Sequence, residues 1–541
     1  MSAPPRGWFR DPVVLVALIA ALGAFVVQSG ELGSADTMHR LQTAHSFWTS
    51  EPAVFPQEYP EFGVHGRDGK LVDWYGIGQA LLMLPADIVG TYVERLSFFD
   101  DYNGNDPSVR NIVVSYSTNI LISVLTALVC FRFLRQLMFS TRESASGVLA
   151  LLFCTTHLHY TQNMMENNYI LLLTLAGFAF QYEWLRTGNR RALLVGSAAL
   201  GLNLLTRLTT VLDLLAVAFF LLLVSWFESV RGRRLWERFV VYAKTALPVY
   251  AGFLLIDRLY QYYRFGSFFN TYVHYFAVEH RLQDPSLPAS YPFENPFHVG
   301  FMGALFAPEK SIFLFDPLLV LTILVAVLAW KRFRPEIRAY LVGVFLLLLA
   351  YISFYAKYTV WSGDFAWGDR YVSTTAELVA FISVPLLMRH RIELGKVVWG
   401  IGLGLISVSA AVQLASLAFW LPLEIYQMET LGHPTFVVAL RFKNIVAFTL
   451  GKMDAWGLNN YAMAQDPWDY VHITTWNFLP FVLRRVGEAP GWVVRVCFLL
   501  WIAGLAGLIW VLWQLREVLG VVAGEHVAQD PKSQPASGLT P

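Results

Sequence analysis

Several ionisable residues stand at the ends of apolar stretches, and the first of them is Asp36. It follows the first apolar run of the chain after a short polar segment, and a helical, amphipathic run to Trp48 comes directly after it. A carboxylate here favours helix formation, because the N-terminus of a helix carries partial positive charge, and Ser34 or Thr37 can cap the same end. Position alone therefore favours a structural role for Asp36.

Two arginines and a glutamate could bind or orient a charged ligand. Arg207 lies at the break between two short apolar runs, where a cation is costly and marks a functional site, unless it snorkels to the lipid headgroups. The planar guanidinium of Arg370 can bond two phosphate oxygens, or it can form an ion pair with Asp364 or Asp369. Glu166 lies in a tight turn, and two interpretations are open: it orients a substrate, or it is a solvated acid of the loop.

Two histidines near this turn raise the question of a metal. His157 and His159, together with Asp36 or Glu166, would offer ligands for a divalent cation. Histidines two residues apart do not share a helix face, and hydrogen bonding at the interface explains them equally well. The sequence therefore predicts no resident cofactor, with a divalent cation as the second interpretation.

The elements that must position these residues are membrane helices. The 541 residues are 56% hydrophobic and 15% charged, with a mean hydropathy of +0.47, which excludes an ordinary soluble enzyme. A net charge of +1 gives no global field that would attract nucleic acid. We predict an all-α polytopic fold of about twelve spans across roughly 30 Å of hydrocarbon, at residues 13–29, 111–131, 146–162, 168–185, 191–206, 210–227, 239–257, 311–330, 339–356, 373–388, 394–419 and 492–514.

The basic residues predict how these spans are oriented in the membrane, because short cytoplasmic loops are enriched in Lys and Arg. One alternating set of connections carries them: Arg6 and Arg10; Arg132, Arg135 and Arg142; Arg186, Arg190 and Arg191; Arg231, Arg233, Arg234 and Arg238; Lys331, Arg332, Arg334 and Arg338; Arg389, Arg391 and Lys396; and Arg516. Both termini are therefore predicted to be cytoplasmic, and the long connections 30–110, 258–310 and 420–491 to face outward.

If the apolar segment from Gly76 to Val93 crossed the membrane, every later basic loop would lie on the outer side. We expect it to lie in the outer interface, interrupted by Pro85 and carrying Asp87. The sequence predicts a membrane region over 1–419, with interfacial helices in its first outer loop (30–110). An outer loop or small cap follows over 420–491 and contains Trp456, Trp468, Asp469, His472 and Trp476. The chain then continues with a last span over 492–521 and a disordered cytoplasmic tail over 522–541.

Five segments follow Asp36 in a fixed order: GRDGK at 66–70, WYGIGQ at 74–79, RFGS at 264–267, APEKSIFLFDP at 307–317 and WSGDFAWGDRY at 361–371. In this order and spacing they resemble bacterial membrane glycosyltransferases of the GT-C type, relatives of the dolichyl-phosphate-mannose protein mannosyltransferases. The resemblance extends over about residues 1–390. It departs from the family pattern at Thr37, where many relatives have a second acid, and at the acids Glu309, Asp316, Asp364 and Asp369.

The resemblance implies an inverting GT-C enzyme that transfers a hexose or pentose from an undecaprenyl- or decaprenyl-phosphate-like donor. The acceptor would be a hydroxyl of a lipid, glycan or protein, outside a bacterial cytoplasmic membrane. Asp36 is then the general base, and because a phosphate leaves readily once its charge is met, one base and some positive charge suffice. For the donor phosphate and sugar we expect Arg207, Arg370, Lys310, Arg264, Glu166, Tyr75, Trp361, Asp364 and Asp369.

Other classes of protein share many of these features. A transporter or flippase of lipid-linked saccharide would also have many spans, outer aromatic residues and an intramembrane arginine, although no sequence repeat marks one. A GT-C scaffold without activity is a further alternative. The aromatic residues Tyr260, Tyr262, Tyr263, Trp361 and Trp367 could stack on sugar rings, or they could form the interfacial aromatic belt.

Overall fold

The computed structural model describes residues 10–56, 62–102, 107–230, 232–364, 366–420, 422–459, 475–485 and 489–528. Trp468, Asp469 and His472 of the predicted cap lie outside these residues, as does 529–541. The helices of the first part are α1 (Pro12–Val27), α2 (Ala35–Ser46), α3 (Ile77–Glu94), α4 (Val109–Gln136), α5 (Thr141–Cys154), α6 (His157–Gln162) and α7 (Asn167–Thr187).

The rest of the described chain is also helical. The middle part contains α8 (Arg190–Thr206), α9 (Val211–Phe227), α10 (Gly232–Phe265), α11 (Tyr272–Gln283), α12 (Phe297–Phe306), α13 (Ile312–Phe315), α14 (Leu318–Ala329) and α15 (Pro335–Tyr355). The last part contains α16 (Ser373–Ala380), α17 (Ser383–Arg389), α18 (Arg391–Ser416), α19 (Pro422–Glu429), α20 (Val437–Thr449), α21 (Leu479–Arg485) and α22 (Gly491–Ala528). One short antiparallel hairpin, β1 (Val64–His65) with β2 (Leu71–Val72), departs from the all-α prediction, with Val64 opposite Val72.

Six helices among the described residues are long and apolar enough to cross a membrane. They are α4, α9 with its preceding turn (Leu208–Phe227), α10, α15, α18 and α22, and α1 and α12 are shorter apolar helices. The chain is therefore a multi-pass helical membrane protein. The twelve predicted stretches all coincide with helical segments, but three are divided, into α5 and α6, α13 and α14, and α16 and α17. The number of twelve spans stays a prediction.

Two of these breaks meet in the core. Asp316, beside Pro317, accepts hydrogen bonds from the backbone N–H of Thr156 at 2.8 Å and from its hydroxyl at 3.0 Å, and Glu377 of α16 lies 2.8 Å from the same hydroxyl. Because interrupted helices in a membrane protein expose backbone groups, these side chains satisfy them locally. Asp316, which departs from the family pattern, is thus a buried structural group.

Helix α3 runs through Pro85 without a break, so the predicted interruption is wrong. The helix is held on one side by the buried carboxylate of Asp87, which accepts hydrogen bonds from Arg110 at 2.5 Å, His45 at 2.9 Å and Trp48 at 2.8 Å. These contacts fasten α3 to α2 and α4. A proline removes one hydrogen bond, and the fixed neighbours keep the helix continuous across that loss. Its location in the outer interface stays a prediction.

Small residues let the membrane helices approach one another closely. The backbone of Gly201 in α8 lies against the ring of Phe253 in α10, and Gly177 in α7 lies against Leu200 in α8. Apolar side chains gain little from leaving lipid for another helix, so such close contacts supply much of the packing energy. They hold α7, α8 and α10 against one another.

The segment after residue 420 forms helices around a buried ion pair. Arg441 of α20 donates two hydrogen bonds of 2.6 Å to Glu424 of α19, and both side chains are fully buried. Trp476 stacks on Phe419 with ring centroids 5.1 Å apart, whereas Trp456 is 40% exposed. Helix α22 continues to Ala528, past the predicted boundary at 521, because the proline-containing stretch begins only at residue 531.

Candidate active site

Asp36 is the second residue of α2, and its carboxylate does not cap this helix. Ser34 is the cap, since its hydroxyl accepts a hydrogen bond of 3.2 Å from the N–H of Thr37. Asp36 instead accepts a hydrogen bond of 2.5 Å from Arg370, across 334 residues of sequence. Ser34 therefore caps α2, as the structural interpretation allowed, and Asp36 lies in the first turn of the helix with its carboxylate paired to Arg370.

Three arginines surround two carboxylates at this point. Glu166, 2% exposed, accepts a hydrogen bond from Arg207 and makes a close ion contact of 2.8 Å with Arg40, one turn beyond Asp36 in α2. Together with the pair of Asp36 and Arg370, these groups form what we call the charged cluster. The expected pairing of Arg370 with Asp364 or Asp369 is wrong, because its guanidinium is directed at α2.

The charged cluster forms one wall of a cavity of about 480 Å³. A volume of this size accommodates a small organic ligand. The residues that line it come from α2, α8, α10, α11, α15 and the connections before and after them: Asp36, Arg40, Trp74, Tyr75, Gly76, Glu166, Leu204, Thr206, Arg207, Leu208, Thr209, Asp257, Gln261, Arg264, Thr271, Tyr272, Val273, Phe276, Phe293, Phe354, Tyr355, Tyr358, Val360, Asp364, Arg370 and Tyr371.

The arginines decide the ionisation of both acids. Burial favours the neutral form of Asp36, but Arg370 and Arg40 outweigh burial and hold its pKa below the ordinary value. Burial acts on Glu166 in the same direction, and Arg40, Arg207 and Arg370 again prevail and lower its pKa. Both residues are therefore carboxylates at neutral pH, and Asp36 is in the form that accepts a proton.

Tyr75 lies against both Asp36 and Arg40. It lines the cavity with Asp36 and lowers the pKa of that carboxylate, and the guanidinium of Arg40 lies 3.9 Å from the centre of its ring. Burial, together with the charge of Asp36, raises the pKa of Tyr75 well above its usual range, so the hydroxyl stays protonated as a donor. The structure brings Tyr75, predicted as a donor-binding residue, into the cavity.

Two glycines of the WYGIGQ segment allow this approach. A Cβ atom on Gly76 would meet the carbonyl oxygens of Leu205 and Thr206, and one on Gly78 would meet the hydroxyl of Thr206. Without side chains, the start of α3 packs directly on the end of α8. Tyr75 and the C-terminal end of α8 are thereby held side by side.

Arg264 lies in the cavity wall, but most of its donors are engaged. It donates to the carbonyl of Asp73 at 2.7 Å, the carboxylate of Asp73 at 3.0 Å, and the carbonyl of Tyr75 at 2.9 Å. The carboxylate of Asp73 also accepts a hydrogen bond of 2.6 Å from Thr43 in α2. Arg264 was predicted to bind the donor, and its contacts make it a residue that positions Tyr75.

Three further predicted residues belong to the segment 361–371, which we call the tryptophan loop, and they lie in different surroundings. Asp364 lines the cavity, whereas Trp361 packs on Gly303 of α12 and is not part of the lining. Asp369 is buried and accepts a hydrogen bond of 3.0 Å from the N–H of Tyr371, and burial raises its pKa. The structure therefore places Asp364 at the cavity and the other two in the support of the loop.

Lys310 fastens this loop from behind. Its ammonium group donates to the carbonyl oxygens of Asp364 at 2.5 Å, Ala366 at 2.9 Å and Gly368 at 3.3 Å, and it does not line the cavity. Burial lowers its pKa, which the nearby carboxylate of Asp369 opposes. Lys310, predicted to bind the donor phosphate, thus supports the loop that carries Arg370.

Lys310→Met keeps the apolar stem of this side chain and removes its charge. We expect the free energy of unfolding to fall by about 2 kcal/mol, because three carbonyl oxygens, two of them in buried contacts, lose a charged donor. The thermal midpoint in detergent, followed by tryptophan fluorescence, measures the change. The exposed Lys357→Met serves as the control and is expected to leave the midpoint unchanged. Equal midpoints for the two variants would contradict the supporting role.

Arg40 and Tyr371 are among the cavity residues that were absent from the predicted site. The position of Arg40, one turn after Asp36 in α2, could have indicated a shared site. Tyr371 stacks on Tyr355 with ring centroids 4.3 Å apart, and the guanidinium of Arg207 lies 5.1 Å from its ring centre. Its place directly after Arg370 in the tryptophan loop was the available signal.

The histidines considered as metal ligands are buried away from the cavity. His157 and His159 are 1% and 2% exposed, and His159 stacks on Trp367 with centroids 5.6 Å apart. Within the described ranges, no group of three or more His, Cys, Asp or Glu side chains is arranged to hold a metal ion. The histidines therefore belong to the packing of α6.

Comparisons with known proteins complete this description. No family model matches the sequence, and no curated protein matches it. Among solved structures, the chain is similar to the crystal structure of ArnT from Cupriavidus metallidurans bound to undecaprenyl phosphate. The two are 14% identical, the alignment covers 99% of this chain and 82% of that chain, and the TM-score is 0.44.

Proposed function

We propose that this protein is a glycosyltransferase that moves a sugar from a polyprenyl phosphate to an acceptor hydroxyl on the extracytoplasmic side of the membrane. The observation that carries the proposal is the charged cluster, in which an ionised Asp36 and three arginines share one cavity. The order of the five sequence segments supports the same class. The basic residues of alternate loops support the outer location.

The proposed reaction is a single displacement at the anomeric carbon of the donor sugar. Asp36 takes the proton of the acceptor hydroxyl while the acceptor oxygen bonds to that carbon from the face opposite the phosphate. The bond from carbon to phosphate oxygen breaks in the same step, and its electron pair leaves on the polyprenyl phosphate. The configuration of the sugar is therefore inverted.

The arginines have separate places in this reaction. Arg207 and Arg370 both line the cavity, and their guanidinium groups lie 5.1 and 5.3 Å from the centre of the Tyr371 ring. We assign both to the phosphate, because a guanidinium can bond two phosphate oxygens and neutralise the charge that develops as the phosphate leaves. Arg40 stays with Glu166 and holds the wall behind Asp36.

An assay of the purified protein in detergent tests the proposal. A panel of polyprenyl-phosphate sugars is incubated with the protein, and free polyprenyl phosphate and transferred sugar are followed by mass spectrometry. We expect release that depends on one class of sugar. No turnover with any donor would contradict the proposal. Donor movement across vesicles without turnover would indicate the transporter, and binding without either would indicate an inactive scaffold.

The pH dependence of Arg370→Gln gives a second test. Asp36 must be deprotonated to act, and Arg370 lowers its pKa, so removal of this guanidinium raises that pKa. We expect the acid limb of the profile of kcat/KM against pH to move to higher pH, with about a tenfold to hundredfold lower value on the plateau.

Arg207→Gln is the matched control for this shift. It also removes a proposed phosphate ligand, but its guanidinium bonds Glu166 and not Asp36. We expect a reduced plateau and an acid limb at the wild-type pH. Acid limbs that coincide in all three proteins would contradict the role of Arg370 in setting the pKa of Asp36.

A further inference from the structure

Helix α10 is an apolar membrane helix with a polar inner stripe at one end. Most of its surface faces outward, with Leu254, Leu255 and Leu259 between 47% and 57% exposed. The buried residues recur at helical spacing, and toward the outer end they change from apolar to polar: Ala246, Tyr250, Asp257, Gln261 and Arg264. Polar side chains inside a membrane helix are costly, so a buried acid here indicates function.

Asp257 and Gln261 each have one polar group that no described residue occupies. Asp257, 2% exposed, accepts a hydrogen bond of 2.9 Å from Arg258 on Oδ2, and among the described residues nothing bonds Oδ1. Gln261, 4% exposed, accepts a hydrogen bond of 3.0 Å from Arg264 on Oε1, and its amide nitrogen has no partner within the described ranges. Both residues line the cavity.

Hydrogen bonds connect Gln261 to Tyr75, which lines the cavity together with Asp36. Arg264 donates one hydrogen bond to the side chain of Gln261 and another to the carbonyl oxygen of Tyr75. Asp257 stands one helical turn beyond Gln261. The acceptor and donor groups of α10 therefore mark a second polar region of the same cavity, separated from the arginines by Tyr75.

Aromatic side chains complete this region. Trp74 and Phe276 both line the cavity, with ring centroids 5.5 Å apart in an edge-to-face arrangement. A few fixed polar groups beside aromatic walls are the usual composition of a site for a small polar ligand. Because Arg258 neutralises the charge of Asp257, the region suits neutral hydroxyl groups better than a cationic amine.

We propose that Asp257 and Gln261, beside Trp74, form a subsite that binds the hydroxyl groups of a sugar ring and selects which sugar is used. The subsite rests on the proposed function, because it assumes that a sugar enters this cavity. The oxygen of Asp257 accepts from one hydroxyl and the amide of Gln261 donates to a neighbouring one. A sugar without the matching hydroxyl leaves a buried polar group unpaired, which costs affinity.

Binding measurements on the full-length protein test the subsite with Asp257→Leu and Gln261→Met, both close in size to the native residues. The probes are undecaprenyl phosphate alone and undecaprenyl phosphate carrying the sugar that the wild type uses. We expect each variant to bind the sugar-bearing probe roughly 10- to 100-fold more weakly and the bare carrier equally well. This result assigns the subsite to the donor sugar. A normal donor affinity with a similarly raised KM for a sugar acceptor would assign it to the acceptor.

Glu237→Leu is the matched control, since it removes the other paired carboxylate of α10, which is 59% exposed and does not line the cavity. We expect it to keep wild-type affinity for both probes. Two outcomes would overturn the subsite and leave Asp257 as a partner of Arg258. In one, the control loses as much affinity for the sugar-bearing probe as Asp257→Leu does. In the other, the subsite variants bind both probes equally weakly. Turnover by the wild type is measured beside these assays. If the wild type uses no donor, the proposed function fails, whereas an active wild type with unaffected variants defeats only the subsite.

Discussion

Replacement of Asp36 by asparagine is expected to lower kcat for sugar transfer about 10³-fold while donor affinity stays within a few-fold of wild type. The size of the loss follows from the usual contribution of a general base, which is about 10²- to 10⁴-fold. Asparagine has the shape of aspartate but cannot take the proton of the acceptor. Since Ser34 caps α2, the substitution should leave that helix in place. Single-turnover kinetics and donor binding measure the two effects separately.

Asp68→Asn is the control for this experiment. Asp68 is an acid of the same outer loop, with a side chain that is 76% exposed and far more accessible than that of Asp36. Its backbone has a positive φ of 59°, which asparagine tolerates. We expect wild-type transfer from this variant. If Asp36→Asn turned over at the wild-type rate, Asp36 would be excluded as the base.

Glu166→Gln is expected to have the largest effect on stability, a loss of about 3–5 kcal/mol in the free energy of unfolding. Its carboxylate is shared by Arg40 and Arg207, so the amide would leave two buried guanidinium groups without their counter-charge. Thermal unfolding in detergent measures the loss. Glu183→Gln removes a carboxylate whose partner, Arg132, is 50% exposed, and should cost less than about 1 kcal/mol. Similar losses in both variants would contradict the shared role of Glu166.

The difference in the free energy of unfolding between wild type and Glu166→Gln depends on pH in a defined direction. The pKa of Glu166 is lower in the folded protein than that of an unfolded glutamate, which is about 4.3. Its contribution is therefore fully present above the unfolded value and is lost as the pH falls toward the folded one. We expect the gap between wild type and Glu166→Gln to be constant from about pH 5 upward and to narrow in acid.

The helices could be predicted from the sequence because long apolar stretches have few structural options in a membrane. The pattern of basic residues placed Asp36, Glu166, Arg207 and Arg370 on one predicted side, and the structure brings all four into one cluster. Their partners could not be predicted, because the contact of Asp36 with Arg370 depends on how the tryptophan loop folds over the ends of the helices. Arg370 pairs with an acid that is distant in the sequence and not with the acids near it.

The supporting residues were the hardest to predict. Lys310 and Arg264 occur in family segments and carry charge, which made them candidates for phosphate binding. In the folded chain both donate to backbone carbonyl oxygens, which a sequence does not show as acceptors. Arg441 and Glu424 gave no motif at all, yet their buried pair organises α19 and α20. Such roles depend on burial and geometry more than on residue type.

The composition of the charged cluster has a consequence for the whole reaction. Three guanidinium groups and two carboxylates leave one positive charge in excess, and a donor phosphodiester brings one negative charge. After transfer, Asp36 holds the proton of the acceptor, so the excess becomes two, while the departing phosphate monoester carries roughly two negative charges. The occupied charged cluster is thus electrically neutral both before and after the sugar moves, and the positive charge that balances the leaving phosphate arises in the step that releases it.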